Sequence, residues 1–553
     1  MRVRHRGELA GEVRRAEHRH EDRRLPGQRQ AHGQHGLEPR VPLEGLRRRL
    51  RRERGGGGSA RARRRDSEAR RARVAAQDHG GERTRRGRAR VRPAALVPRD
   101  RGFAAHTAVI LVERLAKTAA ARENMSFGAP QARARLPCHE ARSDILTEQR
   151  RVSFSPPDIT QAEIDEVVDT LTSGWITTGP KTKEFERELA AFTGADRVAS
   201  FSSATAALEC ALRALGVGPG DEVITSAYTY TASCSVICHV GATPVLCDVA
   251  PDSYEMDYDT LASLVTERTR AVIPVDIAGR MVDYGRLFTA LESGGSRWTP
   301  ATDLQRAIGR VAVLADGAHS LGAVQDGRPS GSVADFTAFS FHAVKNLTTA
   351  EGGALAWRAG AFDSDELYNQ FMLMSLHGQT KDALSKTRAG AWEYDVAYPG
   401  WKCNMTDIQA ALGLAQMRRY PTLLARRREL VGRYENGLAD LGVDVLQHYG
   451  EDFASSGHLM LVRLPGKSAA FRSALIERLA DAGVSANVHY KPLPMLTAYR
   501  DLGFDIDDFP NARAQFENEV TLPLHTLLSD DDVDYVVGAF HRAWDALEAE
   551  GVR

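Results

Sequence analysis

Two short stretches, VAVLAD at residues 311–316 and SFHAVKNL at residues 340–347, decide the fold of this 553-residue chain. The first is an apolar run that ends in the carboxylate of Asp316, and the second places Lys345 just beyond another apolar run. Apolar runs of this length, bounded by small and polar residues, are typical of buried strands. We therefore expect an acid at the end of one strand and an amine just past a second.

This pair of residues is what a pyridoxal phosphate (PLP) enzyme needs. The amine of Lys345 would hold the cofactor's aldehyde, and Asp316 would keep the pyridine nitrogen protonated so that the ring accepts electrons. His319, three residues after Asp316, is placed to donate to the phenolic oxygen, and Ser340 is placed to reach the phosphate. A lone histidine is more often structural, so the residues alone leave the role of His319 open.

Two further segments fit the same cofactor. Residues 202–205 (SSAT) follow an apolar run and open a helix, where free N–H groups and the helix dipole favour a phosphate. An ordinary serine N-cap is an equal alternative for this segment. Tyr230 lies just beyond the next strand and can stack on a cofactor ring, although core packing is the commoner role of such an aromatic residue.

Charge divides the chain into two parts. Residues 1–100 contain 30 Arg and 13 Asp or Glu, with no Lys, Phe, Trp or Tyr. A stretch without apolar clusters cannot bury enough surface to offset chain entropy, so residues 1–145 are predicted to be a disordered Arg-rich extension. The extension is either an arm that binds nucleic acid, a solvated tail, or sequence translated upstream of a true start at Met125 or later.

From residue 150 onward, strand-like runs alternate with helical stretches, which predicts an α/β fold with a mostly parallel sheet. The runs at 336–341 and 353–357 are separated only by a loop, so they are expected to pair antiparallel and make the sheet mixed. Ile164, Val167, Val168 and Leu171 have the spacing of an amphipathic helix.

The pattern changes after Pro421, where a long charged helix at 423–438 leads into a smaller region. Strands are predicted at 458–464 and 485–489, and a closing helix at 533–547. We predict two domains, a PLP-binding large domain at 150–420 and a small C-terminal α+β domain at 421–553.

The six cysteines do not predict a metal site. Cys234 and Cys238 are four residues apart, but no second Cys or His pair completes a set of ligands. The start of the chain is Arg-rich without a following apolar stretch, so neither a signal peptide nor a membrane span is expected. A reducing cytoplasm fits these features best.

The order of phosphate loop, aromatic residue, aspartate and lysine is that of a type I PLP fold. The chain resembles the DegT/DnrJ/EryC1/StrS family of sugar aminotransferases over residues 150–545. The matching segments are GWITTGP at 174–180, SATAAL at 203–208, GPGDEVI at 218–224, DGAHSLG at 316–322, SFHAVKN at 340–346, EGG at 351–353, NMTDIQAA at 404–411, HYKP at 489–492 and LPL at 522–524.

The resemblance implies a role for each matching residue. Lys345 would bind the cofactor and move the proton, and Asp316 would pair with the ring nitrogen. The other cofactor-binding residues would be Ser203, Ala204, Thr205, Tyr230, His319, Ser340, Lys402 and Asn404. The substrate would contact Thr177, Thr178, His489 and Tyr490. The family also implies a homodimer with shared active sites.

Three positions depart from the family pattern. Ala204 replaces a glycine, and Val344 replaces the usual Thr or Ser before the lysine. The loop that the family often writes with Asn and Arg reads GWKCNM at 400–405, so Lys402 is expected to reach the PLP phosphate of the partner subunit in place of Asn.

The implied reaction moves an amino group, usually from L-glutamate, to a nucleotide-linked keto sugar for surface polysaccharide or secondary-metabolite biosynthesis. A 4-keto-6-deoxyhexose is favoured, with a 3-keto sugar as the rival. Dehydratase relatives carry histidine at the lysine position, so Lys345 favours transamination. The alternative from another class is a nucleic-acid-binding or regulatory protein on an inactive PLP fold.

Overall fold

The computed structural model describes residues 150–295, 298–360, 362–380 and 393–552. The predicted extension at 1–145 and Cys138 lie outside these residues. Within the described ranges, no helix combines the length and the apolar character needed to cross a membrane.

The elements alternate along the chain as the sequence pattern predicts. The helices are α1 (Gln161–Thr172), α2 (Pro180–Thr193), α3 (Ala204–Ala214), α4 (Thr231–His239), α5 (Tyr258–Leu264), α6 (Tyr284–Gly294), α7 (Asp303–Ile308), α8 (Ser364–Ser375), α9 (Asp407–Leu438), α10 (Ala469–Asp481), α11 (Thr497–Arg500), α12 (Pro510–Glu517) and α13 (Asp530–Ala549). The strands are β1 (Arg197–Phe201), β2 (Glu222–Ser226), β3 (Thr243–Cys247), β4 (Thr269–Ile273), β5 (Ala312–Asp316), β6 (Val324–Gln325), β7 (Arg328–Pro329), β8 (Phe336–Ser340), β9 (Gly353–Trp357), β10 (Asp444–Val445), β11 (Phe453–Ala454), β12 (Met460–Arg463) and β13 (Glu519–Leu522).

A seven-stranded sheet forms the centre of the fold, in the order β1-β9-β8-β5-β4-β2-β3. The pairs from β3 to β8 are parallel, whereas β9 runs antiparallel to both β8 and β1. Helical crossovers cover both faces of such a sheet, so its strands are buried on both sides. The predicted mixed α/β sheet is confirmed, and Asp316 ends its middle strand.

A second, three-stranded sheet has the order β10-β12-β13. The predicted strand at 458–464 forms as β12, but the one at 485–489 does not form. Only Asn487 of that stretch bridges to Thr521, because the strand that pairs with β12 is β13. Phe471, Phe540 and Trp544 pack beneath this sheet from α10 and α13.

Helix α9 is longer than its charged part indicated, since it begins at Asp407 rather than at 423. Thr406 caps its first turn, and the Gln409 side chain accepts a hydrogen bond from the Thr406 N–H in return. The helix runs without interruption through residue 420, where the sequence placed the domain boundary. The division into domains at that point therefore stays a prediction.

Helix α1 forms where predicted, but its apolar stripe faces outward. Ile164, Val168 and Leu171 are 49%, 51% and 52% exposed, whereas Glu163 is fully buried. Glu163 accepts hydrogen bonds from Arg419 Nε over 2.8 Å and from Gln416 Nε2 over 2.9 Å, so α1 packs on α9 through polar groups. The described chain leaves the apolar stripe uncovered.

Candidate active site

A cavity of about 440 Å³ lies at the carboxyl ends of β5 and β8. This size is within the usual range for small-molecule sites. Ten of the predicted site residues line it: Ser203, Ala204, Thr205, Tyr230, Asp316, His319, Ser340, Lys345, His489 and Tyr490.

Asp316 occupies the floor of this cavity and is only 6% exposed. Its Oδ2 accepts a hydrogen bond from Ser233 Oγ over 2.7 Å, and its Oδ1 accepts one from the Ala318 N–H over 3.2 Å. Burial raises the pKa of the Asp316 carboxyl, while these two donors and Lys345 oppose the rise. A carboxylate held in this way has a strong preference for a cationic partner.

Lys345 reaches the same cavity from the turn after β8, where its N–H donates to the His342 carbonyl over 2.9 Å. Burial lowers the pKa of Lys345 from 10.5 to about 8, and the charge of Asp316 limits the decrease. At pH 7, one unit below this pKa, about a tenth of the amine is uncharged, far more than of a lysine with its ordinary pKa. An uncharged amine is the form that attacks an aldehyde or accepts a proton from carbon.

The turn before α3 lies at the cavity and has the geometry of an anion site. Ser203 caps the helix by accepting a hydrogen bond from the Ala206 N–H over 3.1 Å, which leaves the earlier N–H groups of the turn for a ligand. Strand β9 comes very close here, because a Cβ on Gly353 would lie 2.2 Å from the Ala204 nitrogen. Gly353 is thus required by the close approach of β9 to the turn.

His319 has a tautomer that its surroundings fix. The Ala278 N–H donates to its Nδ1 over 3.2 Å, so the ring proton is assigned to Nε2. That nitrogen faces the cavity, 3.2 Å from the hydroxyl of Tyr490. Burial lowers the pKa of His319, and the neighbouring charge of Lys345 adds to this effect. A neutral ring that donates from Nε2 suits the predicted role toward a phenolic oxygen.

Tyr230 stands at the N-terminal end of α4, with its side chain 59% exposed and its ring 5.9 Å from the ring of Tyr490. Its exposure excludes the core-packing alternative. A planar ligand that enters the cavity has this ring at its mouth, so stacking remains the predicted role.

Four predicted residues do not line the cavity: Thr177, Thr178, Lys402 and Asn404. Thr178 Oγ1 donates to the Met405 carbonyl over 2.5 Å and accepts from Asn404 Nδ2 over 2.6 Å. Lys402 is exposed and contacts the Asn404 amide oxygen. The loop that carries them runs beside the end of β1, where the Ser202 N–H donates to the Cys403 carbonyl over 2.7 Å.

Two neighbours of the site were missed from the sequence. Ser233 holds Asp316 and lies one helical turn after Tyr230, which is a signal that helix periodicity offers. His458 packs its ring 4.3 Å from that of His319, and its Nδ1 lies 2.9 Å from the amide oxygen of Asn346. No local pattern indicates His458, because it reaches the cavity from a segment that is distant in sequence.

These side chains fit PLP by their chemistry. A buried carboxylate is present for the pyridine nitrogen, an amine with a lowered pKa for the aldehyde, and a helix N-terminus for the phosphate. Each lines the same cavity.

Comparison with known proteins extends this picture. The model of the DegT/DnrJ/EryC1/StrS aminotransferase family matches residues 157–541. The spore coat polysaccharide biosynthesis protein SpsC of Bacillus subtilis is 38% identical over 398 residues, which cover 71% of this chain and 97% of SpsC.

Solved structures agree with that match. The sugar aminotransferase Spr1654 from Streptococcus pneumoniae in its PMP-form is 55% identical, with a TM-score of 0.70, over 72% of this chain and all of that one (100%). Its PLP-form matches with the same TM-score of 0.70. The Helicobacter pylori aminotransferase PseC, involved in the biosynthesis of pseudoaminic acid, is 28% identical with a TM-score of 0.63, over 72% of this chain and 100% of PseC.

Proposed function

Because the chain belongs to the DegT/DnrJ/EryC1/StrS aminotransferase family, we propose that its amino donor is L-glutamate and its acceptor a nucleotide-linked keto sugar. It is a PLP-dependent sugar aminotransferase with a type I fold. The observation that carries the proposal is that Lys345 and Asp316 line the same cavity as the rings of His489 and Tyr490.

The residues of the chain divide the work of the reaction. PLP supplies an electron sink when bound, which makes the C–H bond beside the donor nitrogen acidic. Lys345 Nζ takes that proton and returns it, since its lowered pKa leaves the amine free to act as a base. Asp316 would hold positive charge at the ring nitrogen of PLP, and the start of α3 would hold its phosphate.

The acceptor is proposed to be a 4-keto-6-deoxyhexose, with a 3-keto sugar as the rival. The names of SpsC and PseC support a pathway that builds surface polysaccharide or a related sugar product, with secondary metabolism as the alternative. A cytoplasmic location remains a prediction from the sequence.

A panel of nucleotide-linked keto sugars tests the proposal, with L-glutamate as donor and 2-oxoglutarate release as the measurement. We expect turnover with a 4-keto-6-deoxy sugar to exceed that with a 3-keto sugar. Faster turnover of the 3-keto sugar would reverse the assignment of the carbon. If none of the keto sugars in the panel supports the release of 2-oxoglutarate, the proposed acceptor class is contradicted.

We also propose a homodimer with shared sites, for which two features give support. The uncovered apolar stripe of α1 (Ile164, Val168 and Leu171) is the kind of surface that a second copy buries. Lys402 and Asn404 lie outside the cavity of their own subunit, although the family pattern places their loop at a cofactor phosphate. Both features fit a partner that receives the loop.

Lys402→Ala is expected to weaken PLP retention while the fold is kept, because a phosphate dianion loses a fixed positive charge. Mixing Lys402→Ala with Lys345→Ala then gives the sharper test. In a heterodimer with shared sites, one site carries both defects and the other carries neither. When equal amounts of the two variants assort at random, about a quarter of all sites in the mixture therefore regain activity. Each variant mixed with itself is the control. If heterodimers form and no activity returns, Lys402 does not serve the partner's site.

A further inference from the structure

A buried carboxyl lies directly behind the cavity wall that His489 forms. Glu519 and Thr521 alternate along β13, so their side chains point to the same face of the strand. Thr521 Oγ1 donates to Glu519 Oε1 over 2.6 Å, and His489 Nδ1 lies 2.9 Å from the same hydroxyl. Glu519 and Thr521 are fully buried, whereas the ring of His489 lines the cavity.

The backbone fixes this chain of groups in place. The His489 N–H donates to Glu519 Oε2 over 2.9 Å, so the carboxyl binds the loop through one oxygen and the hydroxyl through the other. Asn487 forms a backbone bridge with Thr521, which sets the register of the loop against β13. The three side chains are therefore held by the fold and need no ligand to align them.

Because the Thr521 hydroxyl has a single proton to donate, it couples the protonation state of Glu519 to the tautomer of His489. When Glu519 is ionised, the hydroxyl donates to it and His489 Nδ1 carries a proton, which leaves the Nε2 lone pair free. When Glu519 is protonated, it donates to the hydroxyl, which donates to Nδ1, and the ring proton sits on Nε2. Among the described residues, Nε2 has no hydrogen-bond partner in the protein.

Burial brings the exchange between ionised and protonated Glu519 close to neutral pH. It raises the pKa of Glu519 to about 8, against the hydrogen bonds of Thr521 and His489 and the charge of Arg472. Around this carboxyl, Arg463 is the register partner on β12 and turns to Asp252, while the phenols of Tyr228 and Tyr254 stay protonated through burial. Burial also lowers the pKa of His489 to about 4, so its ring remains neutral.

We propose that Glu519, Thr521 and His489 form a proton relay that opens into the active-site cavity, with Glu519 as the buried proton store. His489 Nε2 accepts a proton from the cavity, and the proton on Nδ1 passes through Thr521 to the carboxylate. The net result is a neutral acid and a neutral ring, so no buried imidazolium persists. Transfer in the opposite direction delivers a proton to the cavity.

The relay rests on the proposed function, which needs such a group. When an amine nitrogen replaces a carbonyl oxygen, a C–O bond breaks, a C–N bond forms, and one water leaves. The departing oxygen gains two protons and the nitrogen loses two. One proton passes directly from the nitrogen to the oxygen. The relay gives the second proton to the oxygen and recovers the second from the nitrogen, so it is unchanged after each exchange. Lys345 remains the base at carbon.

Glu519→Gln tests the proton store without any assay of activity. The pKa of Glu519 lies above its ordinary value of 4.5, so between about pH 4.5 and about pH 8 the folded holoenzyme binds a proton that the unfolded chain has lost. Wild type should therefore lose thermal stability relative to Glu519→Gln as the pH rises through that window. The exposed neighbour Glu517, changed to Gln, is the control for the loss of a glutamate side chain at the surface. A constant difference between wild type and Glu519→Gln overturns the store.

Thr521→Val and Thr521→Ser test the transfer. Valine keeps the shape but cannot pass a proton, so kcat should fall on the order of 100-fold with little change in KM, and serine should restore it. Wild-type kcat in Thr521→Val, or an equal loss in both variants, overturns the relay. A wild-type enzyme that turns over no keto sugar would refute the proposed acceptor instead, and the stability measurement would still decide the relay.

Discussion

Replacing Lys345 by alanine is expected to abolish transamination, with a loss of at least about 1,000-fold. Two functions disappear together, because in the proposed mechanism the same amine binds the cofactor covalently and moves the proton. The purified variant should also lack the visible absorbance that lysine-bound PLP gives. Steady-state turnover and the absorbance spectrum are the two measurements.

Lys467→Ala is a matched control, since this lysine lies away from the cavity and contacts Glu548. Stability provides a further check on cofactor-free protein. The pKa of Lys345 is about 8 in the folded protein against an ordinary 10.5, so between these two pH values the unfolded chain keeps a proton that the folded protein has lost. Wild type should therefore gain stability relative to Lys345→Ala as the pH rises from about 8 to about 10.5. Retained transamination in Lys345→Ala would refute the assigned role.

Asp316→Asn is expected to fold and to lose on the order of 10²–10³-fold in kcat. The amide keeps the shape: its oxygen can accept from the Ala318 N–H, and its NH2 group can donate to the Ser233 hydroxyl, which also accepts hydrogen bonds. It has no charge to stabilise a protonated ring nitrogen, and that positive ring is the source of the electron sink. The rate of the half-reaction with glutamate reports this loss without dependence on the sugar.

Asp276→Asn is the control for this change. Asp276 is an equally buried carboxyl near Asp316, and burial raises its pKa to about 7. It does not line the cavity and instead accepts hydrogen bonds from Ser320 and Tyr284. We expect this variant to keep near-wild-type turnover. Equal losses in both variants would show that Asp316 acts through packing rather than charge.

The central sheet was predictable because its signal is local. Each of its strands is an apolar run between turns, and burial on both faces makes such runs nearly continuous. Asp316 and Lys345 were identified on the same basis, since each follows directly from the end of a strand. The structure places both side chains at one cavity, and their roles there stay predictions.

The small sheet was harder to predict because its signal is weak. Residues 485–489 alternate well enough to resemble a strand, but only Asn487 pairs. Strand β13 carries a glutamate at its first position and was missed, since a charged residue rarely enters a buried strand. The same glutamate became the core of the proposed relay.

Helix α1 shows the limit of periodicity. The spacing of Ile164, Val168 and Leu171 gave the helix, and the usual rule places such a stripe against the core. The structure turns Glu163 inward instead, because Arg419 and Gln416 of α9 satisfy its carboxylate. The partners of the buried Glu163 carboxylate lie far from it in sequence, so the pattern of α1 alone cannot indicate them.

The sequence by itself determined the family of this protein and identified the residues that fit PLP: the lysine, the aspartate and the turn before α3. Those features are local, since each depends on a strand end or a helix start. Tertiary structure alone decided which groups surround them. Ser233 beside Asp316, His458 against His319, and Glu519 behind His489 are contacts between distant segments. Such contacts shift the pKa of buried groups through desolvation and hydrogen bonds, which exist only once the chain has folded.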